Sequence, residues 1–146
     1  MKKTVLIMGN GVSRLEFNDR ILAFDGEVWA CNYAFREYSA KISRLYGHKE
    51  PMIEAQDWKE KHDLKYEIYS GPINKQRPDW REITVPPKWR KDSGTTLVCQ
   101  ALFEGFDVIC CGMDLGGPDV YDPAAFKKDK TNWVRRWTEI ITEWDP

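Results

Sequence analysis

Four short segments of this 146-residue chain carry residue types that recognise a small polar ligand: Gly9-Asn10-Gly11-Val12-Ser13, Asn32, Ser93-Gly94-Thr95 and Gly112-Met113-Asp114. Glycines let backbone amides approach a ligand closely. The amino terminus of a helix attracts an anion such as phosphate. Asparagine both donates and accepts, so Asn10 and Asn32 could read a ribose or a base. Arg90 and Lys91, just ahead of Ser93, would add positive charge. Each segment alone has a plainer reading. Gly9 to Gly11 could be a tight turn, Ser93 to Thr95 a helix cap, and Asp114 an acceptor for backbone amides. The first run is not Gly-x-Gly-x-x-Gly, because Arg14 stands at the third glycine position, which disfavours a standard dinucleotide site. Nor is it a P-loop, since no Gly-Lys-Ser/Thr follows.

Proton transfer has few candidates. The chain has two histidines. His48 follows Tyr46-Gly47 and reads either as a base or phosphate ligand, or as a surface loop residue. His62 closes a charged helical segment and reads as a solvated terminal residue. Asp57, Asp114 and Asp122 could hold magnesium beside phosphates, but nothing compels it. No cluster has metal-ligand spacing, so neither a structural zinc nor a required cofactor is expected. Cysteines 31, 99, 110 and 111 all lie in apolar stretches and read as reduced core thiols.

The elements that must position these residues follow from the hydrophobic pattern. Residues 4–8, 28–31 and 108–111 are apolar runs without alternation, as in strands buried on both faces of a parallel sheet. Shorter strands are expected at 42–46, 66–69 and 82–85. Ser13 could cap a short or broken helix carrying Leu15, Ile21, Leu22 and Phe24. Residues 33–38 read as helical or irregular, and a helix opens at Glu50-Pro51 and runs to about His62. Another helix starts at Ser93, with Leu97, Val98, Ala101 and Leu102 on one face and Gly105 as its closing glycine. Residues 71–92 form a basic, proline-punctuated loop. The last helix, about 132–144, places Trp133, Trp137, Ile140, Ile141 and Trp144 on a stripe. This order predicts a single α/β domain over residues 1–146, with a Rossmann-like, mostly parallel sheet and helices on both faces. Ligands bind such sheets at the carboxyl ends of the strands, near a topological switch point. The four polar segments would meet there.

Composition narrows the partners. Lys plus Arg number 22 and Asp plus Glu 23, so the net charge of -1 argues against a broad nucleic-acid footprint. No apolar run approaches the roughly 20 residues that cross a bilayer. Gly9-Asn10-Gly11 interrupts the first apolar run, which argues against a signal peptide and for the cytoplasm. Seven Trp is a large number for 146 residues. Trp80 and Trp89 lie in the basic loop, where they could stack on a base, pack on a second subunit, or pack locally.

The chain resembles the bacterial sialyltransferases that use CMP-sialic acid, and related phage and bacterial proteins with a Rossmann-like fold. The resemblance lies in Leu6-Ile7-Met8-Gly9-Asn10-Gly11-Val12-Ser13, Val28-Trp29-Ala30-Cys31-Asn32, Arg90-Lys91-Asp92-Ser93-Gly94 and Gly105-Phe106-Asp107-Val108-Ile109 through Gly112-Met113-Asp114. These blocks are short, but they keep the family's order over most of the length. The resemblance implies that Asn10 and Ser13 lie near the phosphate or ribose and that Asn32 contacts a sugar. It implies that Ser93 and Gly94 hold the nucleotide or the donor carboxylate, with Arg90 on the acceptor side. Tyr121 would match a tyrosine that stabilises the departing phosphate. The family's histidine base has no counterpart, since no histidine follows His62. Asp119 or Asp122 would be a weak substitute at an ordinary carboxylate pKa. Only 30 residues follow Gly116, which leaves little room for the family's lid.

Three functions are expected from these readings. The first is a non-catalytic protein that binds or sequesters a nucleotide or its derivative, as some small phage proteins do. The second is a minimal glycosyltransferase with a nucleotide-sugar donor and with Asp122 or His48 as base. The third is a structural homo-oligomer with a vestigial pocket. The expected ligand sites are Gly9, Asn10, Gly11, Ser13, Asn32, Arg90, Ser93, Gly94, Thr95 and Asp114, and the catalytic candidates are Tyr121, Asp122 and His48.

Overall fold

The computed structural model of the chain describes residues 2–71, 77–90, 92–114, 120–121 and 131–144. Asp119 and Asp122, together with Lys91, lie outside the described residues, as does the side chain of Trp133. Six strands form one sheet: β1 (Thr4–Met8), β2 (Glu27–Cys31), β3 (Arg44–Tyr46), β4 (Glu67–Ser70), β5 (Arg81–Glu82) and β6 (Asp107–Cys111). Their order across the sheet is β5-β4-β3-β2-β1-β6, and every pairing is parallel. The direction of winding reverses at β1, so the switch point lies between β1 and β6. The helices are α1 (Asn18–Ala23), α2 (Phe35–Tyr38), α3 (Lys49–His62), α4 (Ser93–Phe103) and α5 (Thr131–Glu143).

The apolar runs of β1 and β2 are continuous because both faces are covered. Leu6, Met8, Val28 and Ala30 pack into one cluster with Ile21 of α1, Phe35 of α2 and Met52 of α3. Val5, Ile7 and Trp29 face the other way, against Leu97, Val98 and Ala101 of α4, with Trp137 of α5 packed at the margin. A Rossmann-like sheet with helices on both faces is therefore what the chain forms.

Several local expectations change. Residues 12–17 are a 3-10 turn that runs directly into α1, with Gly11 at the capping position. Ser13 does not cap it. Leu15 and Leu22 are exposed, and Ile21 alone of that stripe is fully buried. The 108–111 run is not a buried strand: β6 is at the sheet edge, with Ile109 and Cys110 exposed. Cys31 and Cys99 are core thiols as expected, but Cys110 and Cys111 are not buried. Burial holds Cys99 at a pKa of about 12. On α5, Ile140 is buried and Ile141 is exposed, so the apolar stripe is narrower than its composition indicates.

The basic-loop tryptophans pack locally. Trp80 is buried, and its indole Nε1 donates to Gln56 Oε1 at 2.8 Å. Trp89 is buried against Trp144 of α5, with ring centroids 5.2 Å apart. Proline-fixed turns fold this segment back over β4 and α4, and that supplies the burial without a second subunit. The closing glycine of α4 is as expected. Gly105 has φ +88°, and the amide of Phe106 reaches back to the carbonyl of Ala101 at 3.0 Å.

The junction of β1 and β6 carries the tightest backbone contact. Gly9 N donates to Cys111 O at 2.7 Å and Gly11 N to Gly112 O at 2.8 Å. A Cβ on Gly9 would lie 2.5 Å from Gly112 O and 2.8 Å from Met113 Sδ. Gly9→Ala is therefore expected to cost about 1–3 kcal/mol, the scale of core overpacking. A urea denaturation midpoint unchanged from wild type would contradict this contact.

Candidate functional site

The polar segments do meet at the carboxyl ends of the strands. Met113 connects two of them: a Cβ on Gly9 or on Gly94 would come within 2.8 or 3.0 Å of its sulfur. The Gly-Asn-Gly turn and the first turn of α4 are thus neighbours. Asn32, with φ +52°, holds the end of β3 by accepting from the backbone N–H of His48 at 3.1 Å. His48 is exposed at the start of α3. Tyr46, the last residue of β3, is near Arg90 and Asp92 in the electrostatics of its phenol. Burial pushes the Tyr46 phenol up, and the Arg90 guanidinium opposes that shift.

Some of these side chains already have internal partners. Asn10 donates to Cys31 O at 3.1 Å and accepts from Arg14 Nη1 at 2.5 Å. Its amide ties the β1 turn to β2, which leaves Gly9 to Gly11 to offer backbone rather than the asparagine side chain. Asp114 accepts from the backbone N–H of Ser13 at 3.0 Å and from the Ser13 hydroxyl. This is the plainer of its two readings, and the wall it forms over Gly11 is close enough that a Cβ there would lie 2.4 Å from the carboxyl carbon. Arg90 Nε donates to Val85 O at 2.6 Å, which anchors the basic loop.

The start of α4 also differs from expectation in one respect. Asp92, not Ser93, is its N-cap, and its carboxylate accepts from Thr95 N at 2.9 Å. Arg136 of α5 pairs with the other oxygen at 3.1 Å. A carboxylate therefore already faces the positive end of the helix, and α5 supplies its counter-ion. The Thr95 hydroxyl nearby is buried without a partner among the described residues. An orphaned hydroxyl of this kind is what a ligand's polar group would satisfy.

Sequence reasoning missed the group that organises the site. Arg14 is fully buried, at 0% exposure. Its Nη1 donates to Gly9 O at 3.1 Å, and its Nη2 donates to the Tyr121 hydroxyl at 2.8 Å. Glu37 of α2 lies 3.4 Å from the same nitrogen. The guanidinium also sits over the rings of Tyr38 and Tyr121, at 5.4 and 5.2 Å. The only sequence signal was the break in the glycine pattern at position 14. His62, in contrast, stacks on Trp58 at the far end of α3 and takes no part. Among the described residues, no group of three or more His, Cys, Asp or Glu could hold a metal ion, and no helix is long and apolar enough to cross a membrane.

The fold, a parallel Rossmann-like sheet with helices on both faces, is similar to that of sialyltransferases among solved structures. The sialyltransferase CST-II in complex with trisaccharide acceptor and CMP has a TM-score of 0.67 at 15% identity, covering 97% of this chain and 77% of that one. CstII from Campylobacter jejuni with the substrate analogue CMP-3FNeuAc has a TM-score of 0.59 at 17% identity, covering 98% and 70%. The apo alpha-2,3-sialyltransferase from the same organism has 0.56 at 16% identity, covering 99% and 65%. The chain matches no family model and no curated protein. At these identities the likeness establishes the fold, which is sialyltransferase-like.

Burial pushes the Tyr121 hydroxyl up to about 12, against the pull of Arg14. The folded protein therefore holds this proton more tightly than the unfolded chain, whose tyrosines titrate near pH 10. The linked stability is complete below about pH 10 and is lost as pH rises through about 12. The urea midpoint should fall across this range, and it should fall less steeply in Tyr121→Phe. Equal slopes in the two proteins would contradict the buried position of this phenol.

Proposed function

We propose that the chain binds a cytidine nucleotide or its sugar derivative at the carboxyl edge of the sheet and transfers the sugar, as a small glycosyltransferase. The observation that carries this reading is the fold likeness to CMP-complexed sialyltransferases over 97% of the chain. The meeting of Gly9, Gly94 and Met113 at the carboxyl edge of the sheet supports it. Ser93, Gly94 and Thr95 would hold the nucleotide or the donor carboxylate, and the Thr95 hydroxyl has no other partner among the described residues. Arg90, beside Tyr46, would face the acceptor. Tyr121 is protonated at neutral pH and would donate to the departing phosphate. His48, exposed and held by Asn32, would take the proton of the acceptor hydroxyl as that oxygen attacks the anomeric carbon and the nucleotide leaves.

Binding without transfer is a second reading. It is favoured by the Asp114 carboxylate already accepting from Ser13, so that this carboxylate is not free to serve as a base.

Thermal stabilisation by CMP and release of CMP from CMP-sialic acid separate these readings. The transferase reading expects both, with His48→Ala slowing release about 10²–10⁴-fold while leaving CMP binding intact. Stabilisation with no turnover, with or without an acceptor sugar, supports the binder. No stabilisation by any nucleotide or nucleotide sugar removes both. Ser93→Ala should weaken CMP binding about tenfold or more, the scale of a hydrogen bond to a charged group. An unchanged Kd by calorimetry would mean that the ligand does not touch α4.

A further inference from the structure

We propose that Arg14 is a positioning residue of the ligand site and acts through Tyr121, making that hydroxyl an obligate hydrogen-bond donor toward an anionic oxygen. The proposal rests on the ligand-binding reading above and goes beyond it by assigning a role to a residue that contacts no ligand.

The geometry is specific. Arg14 is fully buried, and its forked guanidinium spans two structures. One nitrogen holds the β1 turn through Gly9 O and Asn10 Oδ1, at 3.1 and 2.5 Å. The other holds the Tyr121 hydroxyl at 2.8 Å. The backbone makes a parallel connection, since Val120 N donates to Asn10 O at 2.7 Å. Residues 120–121 are therefore strapped onto the turn through the Val120 amide and through Arg14.

Chemistry sets the polarity of the contact. A phenol has one proton and two lone pairs, while a guanidinium has donors only. Arg14 must donate, so the phenol proton must go elsewhere. In the free protein Glu37 is the acceptor at hand, hydrogen-bonded to the same hydroxyl. A phosphate or carboxylate oxygen at the turn would compete with Glu37 for that proton. A neutral group offers less to compete with, so the arrangement selects for anionic ligands. A buried guanidinium is also a poor device for stability alone, because desolvation costs several kcal/mol and Arg14 Nε has no partner among the described residues.

The test uses calorimetric affinities for CMP and for uncharged cytidine, on wild type, Arg14→Met, Tyr121→Phe and the double variant, with circular dichroism checking the fold. Arg14→Met and Tyr121→Phe should each weaken CMP about tenfold, the scale of one charge-assisted hydrogen bond, with little effect on cytidine. The double variant should bind CMP no more weakly than Tyr121→Phe. Losses that multiply, or an Arg14→Met affinity equal to wild type, would overturn the proposal. Should Arg14→Met fail to fold, Glu37→Gln is the alternative, because Glu37 is on the surface. Removing the competing carboxylate should tighten CMP binding severalfold in the wild-type background and leave it unchanged in Tyr121→Phe. Tightening in both backgrounds, or in neither, would overturn the proposal. If the wild type binds no CMP, the ligand reading itself falls, an outcome distinct from binding that ignores Arg14.

Discussion

A charged side chain with no exposure must find all its compensation inside the protein, and at Arg14 that demand shapes the whole carboxyl edge. Its guanidinium draws on the carbonyl of Gly9, the amide of Asn10, the hydroxyl of Tyr121 and the carboxylate of Glu37. These groups come from the β1 turn, from α2 and from a segment more than a hundred residues away. Satisfying one ion therefore joins three parts of the chain that share no local sequence. The two tyrosine rings stacked on it, Tyr38 and Tyr121, add apolar cover and keep water away from the charge.

The same junction is closed by the protein itself. In an open α/β sheet the crevice at the switch point is the expected place for a ligand, here between β1 and β6. Asp114 closes over Gly11 there, and Gly9 and Gly112 approach until no side chain fits between them. Toward β2 and β3 and toward the start of α4 lie the exposed His48 and the Thr95 hydroxyl, which has no partner among the described residues. The pairing of Asp92 with Arg136 brings α5 to this edge as well. The C-terminal helix thereby takes part in the site's electrostatics, beyond covering the sheet.

Much of the fold was legible because a parallel sheet leaves a strong mark. Continuous apolar runs at β1 and β2, turns ending in glycine or asparagine, and a closing glycine after α4 each report a local constraint that does not depend on the rest of the chain. The failures were of another kind. β6 carries an apolar run, Val108 to Cys111, much like that of β1, yet it is an edge strand, because strand order is a property of the assembled sheet. Trp80 and Trp89 read as candidates for a ligand or a partner, because their burial depends on a loop folding back over β4 and α4. Asn10 and Asp114 have side chains suited to a ligand, but protein groups took them first, and proximity alone decided that.

The amino-acid sequence by itself determined the class of fold and the set of turns at its carboxyl edge, since both follow from hydrophobic period and from residues that tolerate tight backbone. It also recorded an arginine where a dinucleotide turn would carry glycine, without disclosing why. Only the tertiary structure decided which of these polar groups were consumed internally and which were not. That division depends on distances of a few ångströms between residues far apart in the chain. A guanidinium buried among a turn, a helix and a distant tyrosine has no sequence pattern, because no local period relates residues 14, 37 and 121.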